Sequence, residues 1–292
     1  MIYVVLAVFG LIFGSFVNAL VWRFHEQAVL RRQFLALRKK KRADEQRLRE
    51  LKTKSSELSM VTGRSMCAHC HHELAAKDLI PLFSWLWLRG KCRYCGQKID
   101  DSPWAEVGLA TLFVVSYLWW PASFSGVGLF EFIMWLIFLV GFVALADYDL
   151  RWFLLPNRIV FPLIALAVFQ ALLVAVVRGD VWLAIDGFLG ALTLSGVFWV
   201  LFQVSGGTWI GGGDVKLAVA LGLLAGSAVQ SLLLLFSASL LGTLFSVPLL
   251  LRGRKGLKLQ VPFGPYLLAG TVIVVLFGPD IVQWYQGLWI IH

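Results

Sequence analysis

The stretch Gly211-Gly212-Gly213-Asp214 separates two strongly apolar runs, 181–204 and one that opens at Val215. The first run exceeds the ~20 residues a helix needs to cross a bilayer. A carboxylate at such a junction is costly to hold near lipid and marks a functional site by default. Three glycines before it let the backbone bend sharply and let another chain approach closely. Irregular backbone at that depth persists only inside protein or beside a wet cavity. A second acidic cluster has the same setting: Asp147 and Asp149 stand at the polar end of the run 129–146. The pattern points to a carboxylate pair made of Asp214 and one member of that cluster. Two unrelated helix-end aspartates would give the same spacing.

Composition sets the class. Of 292 residues, 59% are hydrophobic and 15% charged, with a mean hydropathy of +0.78, which excludes an ordinary soluble domain. The expected fold is all-α, a polytopic membrane protein of about eight transmembrane helices with a cytoplasmic zinc-knuckle loop. The apolar segments fall at roughly 2–22, 104–120, 129–147, 158–177, 181–204, 215–227, 228–251 and 265–286. The first reads as a retained helix, since it lacks a basic leader and an obvious small-residue cleavage site.

Charge gives the orientation. Residues 23–103 hold 18 of the 26 Lys and Arg against 9 of the 17 acids, so this segment accounts for the whole net charge of +9. Basic segments stay in the cytoplasm, which places the N-terminus outside. Eight crossings then bring 151–158, the glycine stretch and 252–258 inside, leaving Arg178 in an outer loop. Both acidic clusters therefore fall at the cytoplasmic end.

Residues 26–58 read as a charged helical hairpin or a membrane-surface arm, with Glu45/Arg49 and Glu50/Lys54 at i,i+4 spacing and an apolar stripe of Leu30, Phe34, Leu37, Leu48, Leu51 and Leu58. Its expected partner is anionic membrane lipid. The block Arg38-Lys39-Lys40-Lys41-Arg42 suits a positive-inside arm, and no nucleic-acid partner is expected. Beyond it lie Cys67-Ala68-His69-Cys70 and Cys92-Arg93-Tyr94-Cys95, two C-x-x-C knuckles 21 residues apart that match a structural zinc site. Cys67, Cys70, Cys92 and Cys95 are the candidate metal ligands. A disulfide framework is disfavoured by a reducing cytoplasm, and His69, His71 and His72 read as bystanders.

Two aspartates sharing one site cannot both ionise easily. The ionised one can activate water while the protonated one polarises an amide carbonyl, which gives peptide hydrolysis without a covalent intermediate. The rival reading is an ion or proton relay in a coupled transporter. No G-x-S-x-G, no H-E-x-x-H and no cysteine outside the knuckles offers another nucleophile. Only one acid of the second cluster can face Asp214, and spacing does not say which. Asp147 lies about 200° from Asp149 around a regular helix.

Gly211-x-Gly213-Asp214 followed by Val215-Lys216-Leu217 resembles the bacterial type IV prepilin peptidases, membrane aspartic proteases with this motif. Further matches run along the chain: Gly14-Ser15-Phe16-Val17-Asn18, the knuckles flanking 79–85, Arg89-Gly90-Lys91-Cys92, Pro156-Asn157 and Pro262-Phe263-Gly264-Pro265. The sequence departs from the family at Arg23-Phe24-His25, where a proline usually follows, and in the long basic insert around 26–64.

The resemblance implies cleavage of a short leader from prepilins or pseudopilins at the cytoplasmic face, with Asp149 and Asp214 catalytic. Gly211 and Gly213 are expected to shape the loop, and Lys216 to pair with a carboxylate or a lipid phosphate. Many members also methylate the new N-terminus from S-adenosylmethionine; a peptidase without methylation is the alternative. Glu106 is expected to face the same site or to cap its own helix. The domain division implied is 1–22, a first transmembrane helix; 23–103, a cytoplasmic basic and zinc-binding part; and 104–292, a membrane peptidase.

Overall fold

The computed structural model describes residues 1–39, 45–59, 63–99, 103–251 and 261–290. The described secondary structure is almost wholly helical and divides into two compact units, Met1–Val114 and Val115–His292. Lys40, Lys41 and Arg42 of the basic block and the loop 252–258 lie outside the described residues.

In the first unit, α1 (Ile2–Arg38) runs for 37 residues, well past the apolar segment 2–22. Nothing stops it, because 23–38 contains neither glycine nor proline, the two strongest helix breakers. Helix α2 (Glu45–Glu57) packs back against α1 with Leu51 and Leu58 buried, so the expected charged hairpin forms. Its base is tied by Arg23, which is buried and donates to the carbonyls of Ser59 and Gly63 at 3.1 and 2.9 Å, and by Gln27, which donates to Leu58 at 2.8 Å. The Gln27 bond closes the same turn. Of the two expected surface pairs, Glu45–Arg49 is present at 3.8 Å, whereas Glu50 turns to Arg47 at 3.4 Å. The short helix α3 (Phe83–Trp87) lies between the knuckles, and α4 (Trp104–Leu118) follows. Gly10 and Gly14 let α1 touch the backbone of α4: a methyl at either would lie within 2.4 Å of a Cα of Ala110 or Glu106. Small residues at a crossing are the usual way membrane helices reach close packing.

The second unit holds α5 (Gly126–Trp152), α6 (Asn157–Arg178), α7 (Val181–Ser205), α8 (Gly212–Ala225), α9 (Ala228–Leu251) and α10 (Gly264–Ile290). All eight apolar segments of the sequence are therefore helices. Six helices (α1, α5, α6, α7, α9 and α10) are long and apolar enough to cross a membrane, while α4 and α8 are shorter, at 15 and 14 residues. The short α8 is the hub, packing on α6, α7, α9 and α10 with Leu217, Ala218, Ala220 and Leu221 fully enclosed. Gly226 ends it in the left-handed conformation, and α9 starts two residues later. Residues such as Leu192 and Phe236 stay exposed on the long helices, as lipid contact requires. At the end of the bundle away from the two acidic clusters, Arg178 of α6 grips Glu131 of α5 at 2.8 Å.

Candidate functional site

The acidic site is built from three helix ends of the second unit. Helix α5 stops at Phe153, which adopts φ 54° and donates its N–H to the carbonyl of Asp149. Asp149 thus stands one turn before the stop, where the helix dipole presents its negative end. Its buried carboxylate lies against Gly264, the first residue of α10, where an added methyl would come within 2.5 Å of Oδ2. Asp214 sits in the first turn of α8 and accepts the N–H of Gly211 at 3.2 Å. The two carboxyl groups are close enough for the charge of Asp149 to act on Asp214. Asp147 faces elsewhere: it is buried against Arg151 at 2.9 Å.

The glycine stretch differs from the expected sharp bend. The left-handed turns are at Gly206 and Gly207, with φ of 58° and 77°, while Gly211 is extended and Gly212 and Gly213 already belong to α8. What the triplet supplies is space. A methyl at Gly211 would lie 3.2 Å from an oxygen of Asp214, and one at Gly213 would lie 3.0 Å from Cβ of Leu155. Leu155, just past the end of α5, also lies against Gly264, so one side chain spaces the elements that carry the two acids. Among the described residues Lys216 pairs with an amide and a ring, not with a carboxylate. Its ammonium donates to the amide oxygen of Asn157 at 3.2 Å and lies 5.6 Å from the ring centre of Phe161, which ties α8 to the start of α6. Asn157 was visible in sequence only as part of a motif.

The four cysteines converge within the first unit. Their sulfurs all lie within 4.8 Å of one another, with Cys67 and Cys95 at 3.9 Å and all four thiols free. A tetrahedron of Zn–S bonds has edges of about 3.8 Å, so the group is the right size for one ion. The two knuckles repeat one design. Cys67 donates its N–H to His72 and Cys92 donates to Gln97, while His71 and Gly96 take the matching positive-φ positions. Burial pushes the Cys92 thiol up, but backbone N–H donors at Cys95 and Tyr94 outweigh it and bring it down to about 7. At Cys95 the Gln97 N–H works downward, yet burial and the three neighbouring sulfurs raise it to about 11. Crowded thiols that resist joint ionisation are what a dication relieves.

Sequence reading missed the clamp between the knuckles. The Asp78 side chain is 2% exposed and accepts from Arg93 at 2.7 Å and from the Tyr94 hydroxyl at 3.0 Å. Burial pushes its carboxyl up, but Arg93 and Tyr94 hold it below the usual range. The Tyr94 ring packs on His72 at 3.8 Å, joining second knuckle to first. The signal available was an acid between the knuckles and a basic and an aromatic residue inside Cys92-Arg93-Tyr94-Cys95. Glu106 stands in the first turn of α4, as the expected capping role requires, and its buried carboxylate also accepts the N–H of Leu82, which is held at φ 59°.

Residues 8–120 match the bacterial peptidase A24 N-terminal domain, and residues 136–247 match the type IV leader peptidase family. Among curated proteins, the chain is 33% identical to a prepilin leader peptidase/N-methyltransferase of Aeromonas hydrophila, over 95% of this chain and 91% of that protein. It is 32% identical to the protein of the same name from Bacillus subtilis, over 78% and 87% of the two chains. A third, from Pseudomonas aeruginosa, is 32% identical over 94% and 90%. No solved structure matches the chain significantly.

Proposed function

The chain belongs to the type IV leader peptidase family, and we propose on that basis that it removes the leader from prepilins or pseudopilins and methylates the new N-terminus. The observation that supports the peptidase reading is that the helix ends carrying Asp149 and Asp214 pack about one side chain, Leu155, with the two acids within range of each other's charge. One acid, ionised, takes a proton from water as the oxygen attacks the scissile carbonyl. The other, protonated, donates to the developing oxyanion. Collapse of the tetrahedral intermediate breaks the C–N bond: the departing amine takes the proton held by the first acid, and the second acid recovers its proton from the diol hydroxyl that becomes the carbonyl. Gly211 and Gly213 keep the space for Asp214, and Lys216 holds α8 to α6 through Asn157.

The reading divides the chain into a first transmembrane helix at 1–22, a basic part at 23–103 for the metal and methyl transfer, and a peptidase part at 104–292. Cys67, Cys70, Cys92 and Cys95 would hold one structural zinc, whose contribution is to fix the two knuckles as one fold. S-adenosylmethionine supplies the methyl group when bound. The first unit offers residues of suitable chemistry: Arg89 and Lys91 are exposed beside Trp87, and the buried indole N–H of Trp85 has no protein acceptor. A cation and a donor suit the carboxylate of the cosubstrate, and an aromatic face suits its sulfonium. The basic excess of 23–103 supports a cytoplasmic site in the inner membrane, with lipid around the apolar helices.

The test is to incubate the purified chain in lipid nanodiscs with a prepilin-like peptide and the methyl donor, and to weigh the products. A leader-sized loss with a methyl increment is expected. Leader loss alone would leave a peptidase without methylation. Neither change would overturn the reading in favour of ion transport.

A further inference from the structure

We infer that Gly264 is a positioning residue for Asp149, and that the start of α10 forms a third part of the site beside the ends of α5 and α8. The inference rests on the peptidase reading of Asp149. A carboxylate at the end of α5 faces the carbonyls of its own last turn, which repel it. It therefore needs a donor from outside α5. The first turn of a helix has backbone N–H groups with no internal acceptor, and α10 begins beside Asp149. The carbonyl of Phe263 takes the first bonds of α10, from Tyr266 and Leu267, which leaves the Gly264 N–H free of any helical acceptor and close beside the carboxylate.

Only glycine fits there. A methyl on Gly264 would lie 2.5 Å from Oδ2 of Asp149 and 3.3 Å from its Cγ, with Leu155 on another side at 3.6 Å. The carboxylate must move or α10 must withdraw, and either breaks the N–H contact. Flanking residues fix this geometry: Pro262 and Pro265 restrict the entry to the helix, and the Phe263 ring packs on Phe198 at 6.0 Å. With no side chain, Gly264 cannot be recognised as a functional residue from its chemistry.

The experiment compares Gly264→Ala with Gly270→Ala in the full chain in nanodiscs, with Asp149→Asn alongside. A methyl at Gly270, on the same helix, would lie 3.1 Å from the Leu234 carbonyl and far along α10 from the acids, so this variant reports packing alone. A displacement of about 1 Å at a reacting group costs on the order of 100-fold in rate. Gly264→Ala should therefore lose about that factor in kcat, with KM within roughly threefold, while Gly270→Ala loses stability and keeps kcat. Hydrogen exchange supplies a readout that needs no glycine variant. The only amides in 262–265 are those of Phe263 and Gly264. Asp149→Ala should speed exchange there, and Asp214→Ala should leave it protected. Wild-type kcat in Gly264→Ala, or equal exchange in the two aspartate variants, overturns the inference while Asp149→Asn remains inactive. An active Asp149→Asn overturns the peptidase reading itself and the inference with it.

Discussion

Gly222→Ala tests whether α8 is placed by its packing. Gly222 lies against Gly190 and Ala191 of α7: an added Cβ would come within 2.6 Å of the Ala191 Cα and 2.6 Å of the Gly190 carbonyl oxygen. Carbon atoms pack at about 3.5–4.0 Å, so the helices must part by about 1 Å. Overpacking of this kind costs about 1–3 kcal/mol. The effect also travels, because Gly222 follows Asp214 by eight residues, about 12 Å along the same helix. A tilt that moves Asp214 by even part of that opening should lower kcat by ~10- to 100-fold. The assay is peptide cleavage in nanodiscs beside thermal unfolding. Gly196→Ala on α7, where a methyl meets nothing within 4 Å, is the control; its only expected effect is a gain of up to ~1 kcal/mol from helix propensity. If Gly222→Ala matched wild type in both rate and stability, the packing account of α8 would be wrong.

Asp147→Asn should keep cleavage within a few-fold while lowering stability by about 1 kcal/mol, because the amide oxygen can still accept from the part-exposed Arg151 but the charge is lost; unfolding and peptide turnover measured on one sample check both. Purified protein should carry one zinc per chain by elemental analysis, and chelation should expose 63–99 to protease. Calorimetry in buffers of different ionisation heat should show protons released on zinc binding. At pH 7 Cys95 keeps its proton and Cys92 is near half-ionised, given values of about 11 and about 7, so affinity should fall as pH drops below 7. The Cys92→Ser, Cys95→Ser double variant should lose methyl transfer and retain cleavage, scored with one peptide and a labelled donor; equal loss of both would refute a separation of the two activities.

Much of this was legible because lipid makes polar residues conspicuous. An aspartate beside an apolar run has few innocent explanations, so Asp214 and the Asp147/Asp149 cluster stood out; helix periodicity said that only one of the two could face Asp214, and the family resemblance pointed to Asp149. The cysteines were legible because tetrahedral ligation dictates their spacing. Sequence failed where backbone supplies the chemistry. Gly264 and the placement of the turn at Gly206-Gly207, not at the Asp214 glycines, depend on which helix ends meet. The Lys216–Asn157 bond was not legible because Asn157 is 59 residues away and uncharged. The Glu106 contact to Leu82 was not legible because Leu82 presents only a backbone N–H, which no side-chain pattern announces. The length of α1 was underread because hydropathy ends at 22 while helix propensity does not.

The most direct test of the account is leader cleavage by Asp149→Asn and Asp214→Asn, each purified in nanodiscs and shown by unfolding to be intact. One shared proton between two acids requires both, so each variant should give no leader-sized product from a prepilin-like peptide under conditions where wild type converts it fully. Wild-type cleavage by either variant, or loss of cleavage in Asp147→Asn with Asp149→Asn still active, would contradict the two-aspartate mechanism.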